Sequence, residues 1–224
     1  MKTLYLMRHG QTMLNAQKRI QGWFDSPLTD EGREQAKRAG ALLAERGVRP
    51  ASFACSTAER CSDTLEIVRA ELAAAGLADA DAPYERDRRV KEMFFGQLEG
   101  LPETLSKGDP EACRTYYLQF GGESSDAVRD RLALALDDRM AASEAGDSVF
   151  VVSHGGATYN FLRAVEKNAA EVLAAGWGNC VCAVYEWDEG ARAEAGATDA
   201  LGAPMPADVA AAAARFRLVD VLRP

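Results

Sequence analysis

The chain has 224 residues, 47% hydrophobic and 27% charged, enough to fold as a single domain, 1–224, with a substantial core. Its net charge of -8 argues against nucleic acid or an anionic membrane as a partner, since either would favour a basic face. Five cysteines (Cys55, Cys61, Cys113, Cys180, Cys182), odd in number and lacking a C-x-x-C pair, argue for reduced thiols rather than a disulfide framework.

Thr3–Met7 is a short apolar run that ends abruptly at Arg8-His9-Gly10. Such a run reads as a strand covered on both faces. Thr29 is a candidate N-cap, followed by Asp30 and Glu31, whose charges suit a helix N-terminus. Ala36, Ala39 and Leu43 share a face of that helix, and Gly47 and Pro50 close it. Phe53–Cys55 is a weaker strand candidate. A second helix is predicted over about 58–75, with Leu65, Val68 and Leu72 inward, and a third over about 125–145, with Val128, Leu132 and Leu136 inward. Ser124 or Ser125 reads as the N-cap of the third. Ser148–Val152 repeats the first strand's design and ends at Ser153-His154-Gly155-Gly156, where a fourth helix begins. Val181–Trp187 and Arg215–Val221 complete the strands. In Cys180-Val181-Cys182, two small buried side chains are favoured over a metal clip.

Alternating strands and helices predict an α/β fold, a three-layer α/β/α sandwich with a largely parallel central sheet. Residues 93–124 depart from the alternation, carrying Phe94, Phe95, Tyr116, Tyr117 and Phe120 between glycines. Residues 189–213, rich in alanine and glycine, read as a surface excursion. No run approaches the roughly 18 apolar residues of a membrane span, and the N-terminus has no signal-peptide core, so a cytoplasmic location is expected.

The chain has only two histidines, and each follows an apolar strand and precedes glycine. Ligands of open α/β sheets sit beyond the strands' carboxyl ends, so His9 and His154 are predicted to emerge on one rim. Either histidine alone would more simply be a locally satisfied side chain; the matched pair argues for a site. Arg8 offers a permanent charge and a planar fork suited to two phosphate oxygens. Gly10 would allow close backbone approach to an anion, and Thr12 and Asn15 add neutral donors. The constellation suits a phosphate ester. Two histidines without closely spaced carboxylates make a poor zinc site, and no metal or cofactor is expected.

Arg8-His9-Gly10-Gln11-Thr12-x-x-Asn15 resembles the signature of the histidine phosphatase superfamily, which includes the phosphoglycerate mutases. The resemblance continues, in the family's order, through residues 21–29 (QGWFDSPLT) with Gly32, and through Ser56-Thr57-Ala58-Glu59-Arg60 with Thr64. It runs on through Glu92-Met93-Phe94-Phe95-Gly96 with Glu99-Gly100, and through Gly122-Glu123-Ser124 to Ser153-His154-Gly155-Gly156. It implies a phosphoglycerate mutase-like fold and a phosphohistidine formed on His9. It makes Arg8, Arg60 and His154 a clamp on the phosphoryl group, with Asn15 as a further donor, and Glu92 the acid and base. Gln21, Gly22 and Gly155, with Gly10 and Thr12, would border the phosphate or substrate.

Physical chemistry accommodates these roles. Neutral imidazole, with an ordinary pKa of about 6.5, is a capable nucleophile near neutrality. Two arginines, joined by His154 if it is protonated, would oppose the charge that phosphoryl transfer spreads over three oxygens. Plainer readings remain: Arg60 paired with Glu59 or Asp63, Glu92 balancing Arg86, Arg88, Arg89 and Lys91, and Trp23 and Phe24 as packing residues. Cofactor-dependent mutases of this family carry paired arginines and a lysine after the Glu92 motif, whereas this chain has Lys107 and a lone Arg114. That favours hydrolysis of a small-molecule phosphate monoester over mutase activity or non-catalytic phosphate binding, with the aromatic segment as a cover for the leaving group. Leu98, where tryptophan is common, and Cys61, where a small residue is usual, bear on substrate identity. The oligomeric state is open, a homodimer being one option.

Overall fold

The computed structural model describes residues 1–107 and 109–224. Its centre is a six-stranded sheet of β1 (Lys2–Arg8), β2 (Ser52–Cys55), β3 (Tyr84–Arg86), β4 (Ser148–Ser153), β5 (Cys182–Trp187) and β6 (Phe216–Leu222) in the order β3-β2-β4-β1-β5-β6. Pairings β3–β2, β2–β4 and β4–β1 are parallel, and β5 runs against both neighbours, so five of the six strands share one direction. The largely parallel sandwich expected from the sequence is the fold observed.

Helices cover both faces. Alternation along the strands sends Leu4, Leu6, Val149 and Val151 into one core layer and Met7, Phe150 and Val152 into the other. The second layer packs α2 (Asp30–Glu45) and α3 (Glu59–Ala74), through Ala36, Ala39, Leu43, Leu65, Val68 and Leu72. Thr29 caps α2 by accepting the Gly32 amide at 3.0 Å. The first layer packs α5 (Ser125–Ala142), α6 (Gly155–Val165) and α8 (Ala207–Ala214). Ser124 is the N-cap of α5, its hydroxyl accepting the Ala127 amide at 3.1 Å. Shorter helices α1 (Met13–Ala16), α4 (Pro110–Tyr116) and α7 (Ala169–Ala174) lie near the carboxyl ends of the strands or in the connections. Each large aliphatic side chain so buried contributes about 1.5–3 kcal/mol.

Residues 189–213 are not wholly a surface excursion. The stretch up to Gly196 is largely exposed, but Asp199, Ala203, Val209, Ala210, Ala212 and Ala213 are buried. Asp199 lies between two buried arginines, Arg129 at 2.6 Å and Arg163 at 2.8 Å. Its carboxylate holds this segment onto α5 and α6. Among the described residues no helix is long and apolar enough to cross a membrane.

Candidate active site

The site is assembled at the carboxyl ends of adjacent parallel strands. Arg8, the last residue of β1, pairs with Ser153, the last of β4, and the His9 amide donates to the Ser153 carbonyl at 3.0 Å. This register sets His9 beside His154, with ring centroids 5.3 Å apart and planes at 70°. Next to β4, β2 leads through Ser56 into the first turn of α3, which carries Arg60. The connection after β3 supplies Glu92.

Arg60 is fully buried, and each of its five N–H donors has a partner. Nε donates to His9 Nε2 at 3.2 Å, one terminal nitrogen to the Phe24 carbonyl at 3.0 Å and Asp25 at 2.9 Å, and the other to the Gly22 carbonyl and His154 Nδ1, both at 2.8 Å. Its carboxylate partner is therefore Asp25, not Glu59 or Asp63.

His9 Nδ1 lies 2.8 Å from the Gly10 carbonyl, a contact only a protonated Nδ1 satisfies. The lone pair is thus on Nε2, the atom facing Arg60. Burial, then the charges of Arg60 and Arg8, hold the His9 pKa well below its usual range, so the ring is neutral near pH 7. His154 is neutral for the same first two reasons, burial and Arg60. Its Nδ1 accepts from Arg60, so Nε2–H donates to the Ser56 hydroxyl at 2.8 Å. Protonation of His154, left open by the sequence, is disfavoured by these contacts.

Arg8 donates to the Trp177 carbonyl at 2.9 Å, and its buried Nε has no hydrogen-bond partner among the described residues. A methyl group at Gly155 would come within 3.0 Å of that Nε, so the first glycine after His154 makes room for the guanidinium. Glu92 accepts the amides of Met93 at 2.8 Å and Gly156 at 2.9 Å. Burial raises its pKa, and those two amides oppose the rise. Among the described residues no ion pair links Glu92 to the basic run before it: Arg86 pairs with Glu59, Arg89 with Asp87 and Asp138, and the Lys91 ammonium lies over the Trp23 ring. Arg8, His9, Asn15, Gln21, Glu92 and Gly155 line one cleft of about 420 Å³.

Several expected ligand contacts are instead architectural. The Gly10 amide donates to Thr64, and a Cβ there would meet the Gly32 carbonyl at 2.5 Å, so its closeness is to α2 rather than to an anion. Thr12 is fully buried as the N-cap of α1 and donates to Gln21 at 2.5 Å. Gly22 gives its amide to Glu99 and its carbonyl to Arg60. Asn15 accepts from Thr12 and Asn179 through its side-chain oxygen and lines the cleft. Trp23 and Phe24 are partly exposed packing residues: the Trp23 ring lies 4.9 Å from Phe94 with the Lys91 ammonium 4.3 Å over it, and its indole donates to the Glu92 carbonyl at 3.1 Å.

Other residues support the site, although the sequence assigned Glu99 no role beyond its place in the motif and did not mark Arg131 or Asn179. Glu99 accepts the amides of Gly22, Trp23, Phe24 and Phe95 and so shapes the loop whose carbonyls grip Arg60. Arg131 donates to the Glu92 carbonyl at 2.9 Å, and Asn179 to the His9 carbonyl at 3.0 Å. A glutamate directly after a 3₁₀ turn or a lone asparagine in a loop carries no periodic signal.

The expected covering segment, residues 93–124, is described apart from residue 108. It comprises short 3₁₀ turns at Gly96–Leu98, Glu103–Leu105 and Tyr117–Phe120, with α4 between the last two. Glu103 and Lys107 reach the cleft, whereas Arg114 is held by Glu111 at 2.9 Å and Asp126 at 3.1 Å.

Comparison with known proteins agrees with this arrangement. Residues 4–199 match the family model of the histidine phosphatase superfamily (branch 1). A 2,3-bisphosphoglycerate-dependent phosphoglycerate mutase 2 from Gloeobacter violaceus is 34% identical over 173 residues, 74% of either chain. Among solved structures, Bacillus stearothermophilus YhfR is 30% identical with a TM-score of 0.69, covering 85% of this chain and 93% of its own. A protein titled mycobacterial hydrolase 1 is 25% identical with a TM-score of 0.69, covering 98% of each chain. With the family model spanning most of its length, and two histidines, two arginines and a buried glutamate gathered at the strand ends, the chain belongs to the histidine phosphatase superfamily.

Proposed function

We propose that the protein hydrolyses a small phosphate monoester through a phosphohistidine on His9. The neutral ring with its lone pair on Nε2 supports the nucleophilic role. In the first step Nε2 attacks phosphorus, the phosphorus–oxygen bond to the alcohol breaks, and Glu92, protonated at the start, gives its proton to the departing oxygen. In the second, the Glu92 carboxylate takes a proton from water, the water oxygen attacks phosphorus, and the phosphorus–nitrogen bond breaks. Phosphate leaves, with His9 neutral and Glu92 protonated again. The phosphate oxygens take over the Arg60 hydrogens that His9 Nε2 and His154 Nδ1 accept. Arg8 Nε adds a donor already stripped of water.

The observation that carries hydrolysis over mutase transfer is Arg114, the one arginine in the covering segment, locked between Glu111 and Asp126 away from the cleft. A carboxylate or second phosphate on the substrate would lack an arginine grip there. The name of one structural neighbour, a hydrolase, is in keeping with this; the curated mutase relatives point the other way, and the assay must separate them. Incubation with an aryl phosphate should release phosphate, and His9→Ala should stop turnover with the fold intact. Full activity in that variant ends the nucleophile assignment. Isomer exchange stimulated by a bisphosphorylated glycerate, with little free phosphate, would favour the mutase.

A further inference from the structure

Adjoining the catalytic cleft is a second cavity of about 220 Å³, and Lys107, Gly156, Tyr159 and Leu173 line both. At roughly 30 Å³ per water it has room for about seven waters, the bulk of a single aromatic ring with a short substituent. Its inner wall is apolar: Met93 and Tyr117 are buried there, and the Phe95 ring stands edge-on to Tyr117 at 4.8 Å.

Most of the polar side chains that line it already hold hydrogen bonds within the protein. The Ser106 and Tyr117 hydroxyls share a 2.6 Å hydrogen bond, Cys113 Sγ donates to the Lys107 carbonyl at 3.2 Å, and the Asn160 amide donates to the Gly156 carbonyl at 2.9 Å. Lys107 is the one cation among the described lining residues, and its ammonium sits 5.0 Å over the Tyr116 ring. A polyol entering here would lose water from its hydroxyls and find few free partners, and a carboxylate would face an apolar wall.

We infer that this cavity receives the alcohol portion of the ester, and that the alcohol is neutral and apolar, of single-ring or short branched-chain size. The inference rests on the hydrolase reading above. Glu92, with its Oε2 on the Gly156 amide, stands at the junction of the two cavities, where the bridging oxygen must lie.

Three primary alkyl esters of similar leaving-group acidity test the inference: benzyl phosphate, 3-methylbutyl phosphate and glycerol 1-phosphate, with free phosphate as readout. A kcat/KM for the two apolar esters roughly 10–200-fold above that for glycerol 1-phosphate is expected. Leu173→Asn should cut the benzyl-to-glycerol ratio about tenfold, and benzyl alcohol should inhibit competitively where glycerol does not. Equal or better hydrolysis of glycerol 1-phosphate, or an unchanged ratio in Leu173→Asn, overturns the apolar subsite and leaves the hydrolase intact. Absence of phosphate release from all three esters and from an aryl phosphate removes both.

Discussion

Replacing Glu99 with glutamine keeps the side chain's outline and removes one of its two acceptor oxygens. Oε1 accepts the Trp23 and Phe95 amides at 2.8 and 3.1 Å, and Oε2 those of Gly22 and Phe24 at 3.1 and 3.0 Å. Whichever end becomes NH₂, two amides lose a carboxylate oxygen and confront a donor. A hydrogen bond to a charged group is worth about 1.5 kcal/mol at the low end, so two give about 3 kcal/mol. Water can reach part of this loop, which brings the expected loss to about 2–3 kcal/mol and the melting temperature down by about 4–12 °C. The effect should reach the chemistry, because the Gly22 and Phe24 carbonyls are what aim Arg60. Urea unfolding of Glu99→Gln, with competitive inhibition by inorganic phosphate measured alongside, checks both links. Stability within about 0.5 kcal/mol of the parent and an unaltered inhibition constant would refute the reasoning.

Glu92→Gln should lose about 10²–10⁴ in rate on alkyl phosphates and much less on aryl phosphates, whose leaving oxygens need no proton; parallel rate measurements on both decide. Gly156→Ala would bring a Cβ within 2.8 Å of Glu92 Oε1 and displace the carboxylate. Activity on alkyl esters should fall by roughly tenfold or more while thermal stability holds, a split that simple misfolding would not give. Because both histidines have depressed pKa values, the unfolded chain binds more protons than the native one below about pH 6.5. Stability should therefore be lost as pH falls, by up to about 1.4 kcal/mol per pH unit for each ring, and Glu92, with its raised pKa, should offset part of the loss at lower pH. Urea midpoints at pH 7.5, 6.5 and 5.5 should trace a slope that flattens in His154→Gln.

The sheet was legible where burial leaves a plain mark. β1 and β4 are covered on both sides and spell nearly unbroken apolar runs, and α2 and α3 show their inner stripes at helical spacing. β3 was not, because Tyr84-Glu85-Arg86 is a three-residue edge strand with two exposed charges. The burial of Asp199 was hidden because a lone aspartate in an alanine-rich stretch gives no hint of arginines 36 and 70 residues earlier. Within the site, Arg8, His9, Arg60, Glu92 and His154 could be picked out, since charged or titratable residues at strand ends stand apart from a packing pattern. Gly10, Thr12 and Gly22 could not be sorted between ligand contact and framework. A glycine needed for a close approach looks the same whether the neighbour is an anion or, as at Gly10, another backbone carbonyl.

The hydrogen bond from Arg60 Nε to His9 Nε2 has a bearing on selectivity. On the proposed mechanism it occupies the electron pair that would form the bond to phosphorus, so the imidazole would be latched until that bond is broken. Oxyanions carry the means to open the latch, because their oxygens compete for the same guanidinium hydrogen. A neutral electrophile of similar size has no such key. On that mechanism reactivity would be tied to recognition, the ring being released by the arrival of the group it attacks.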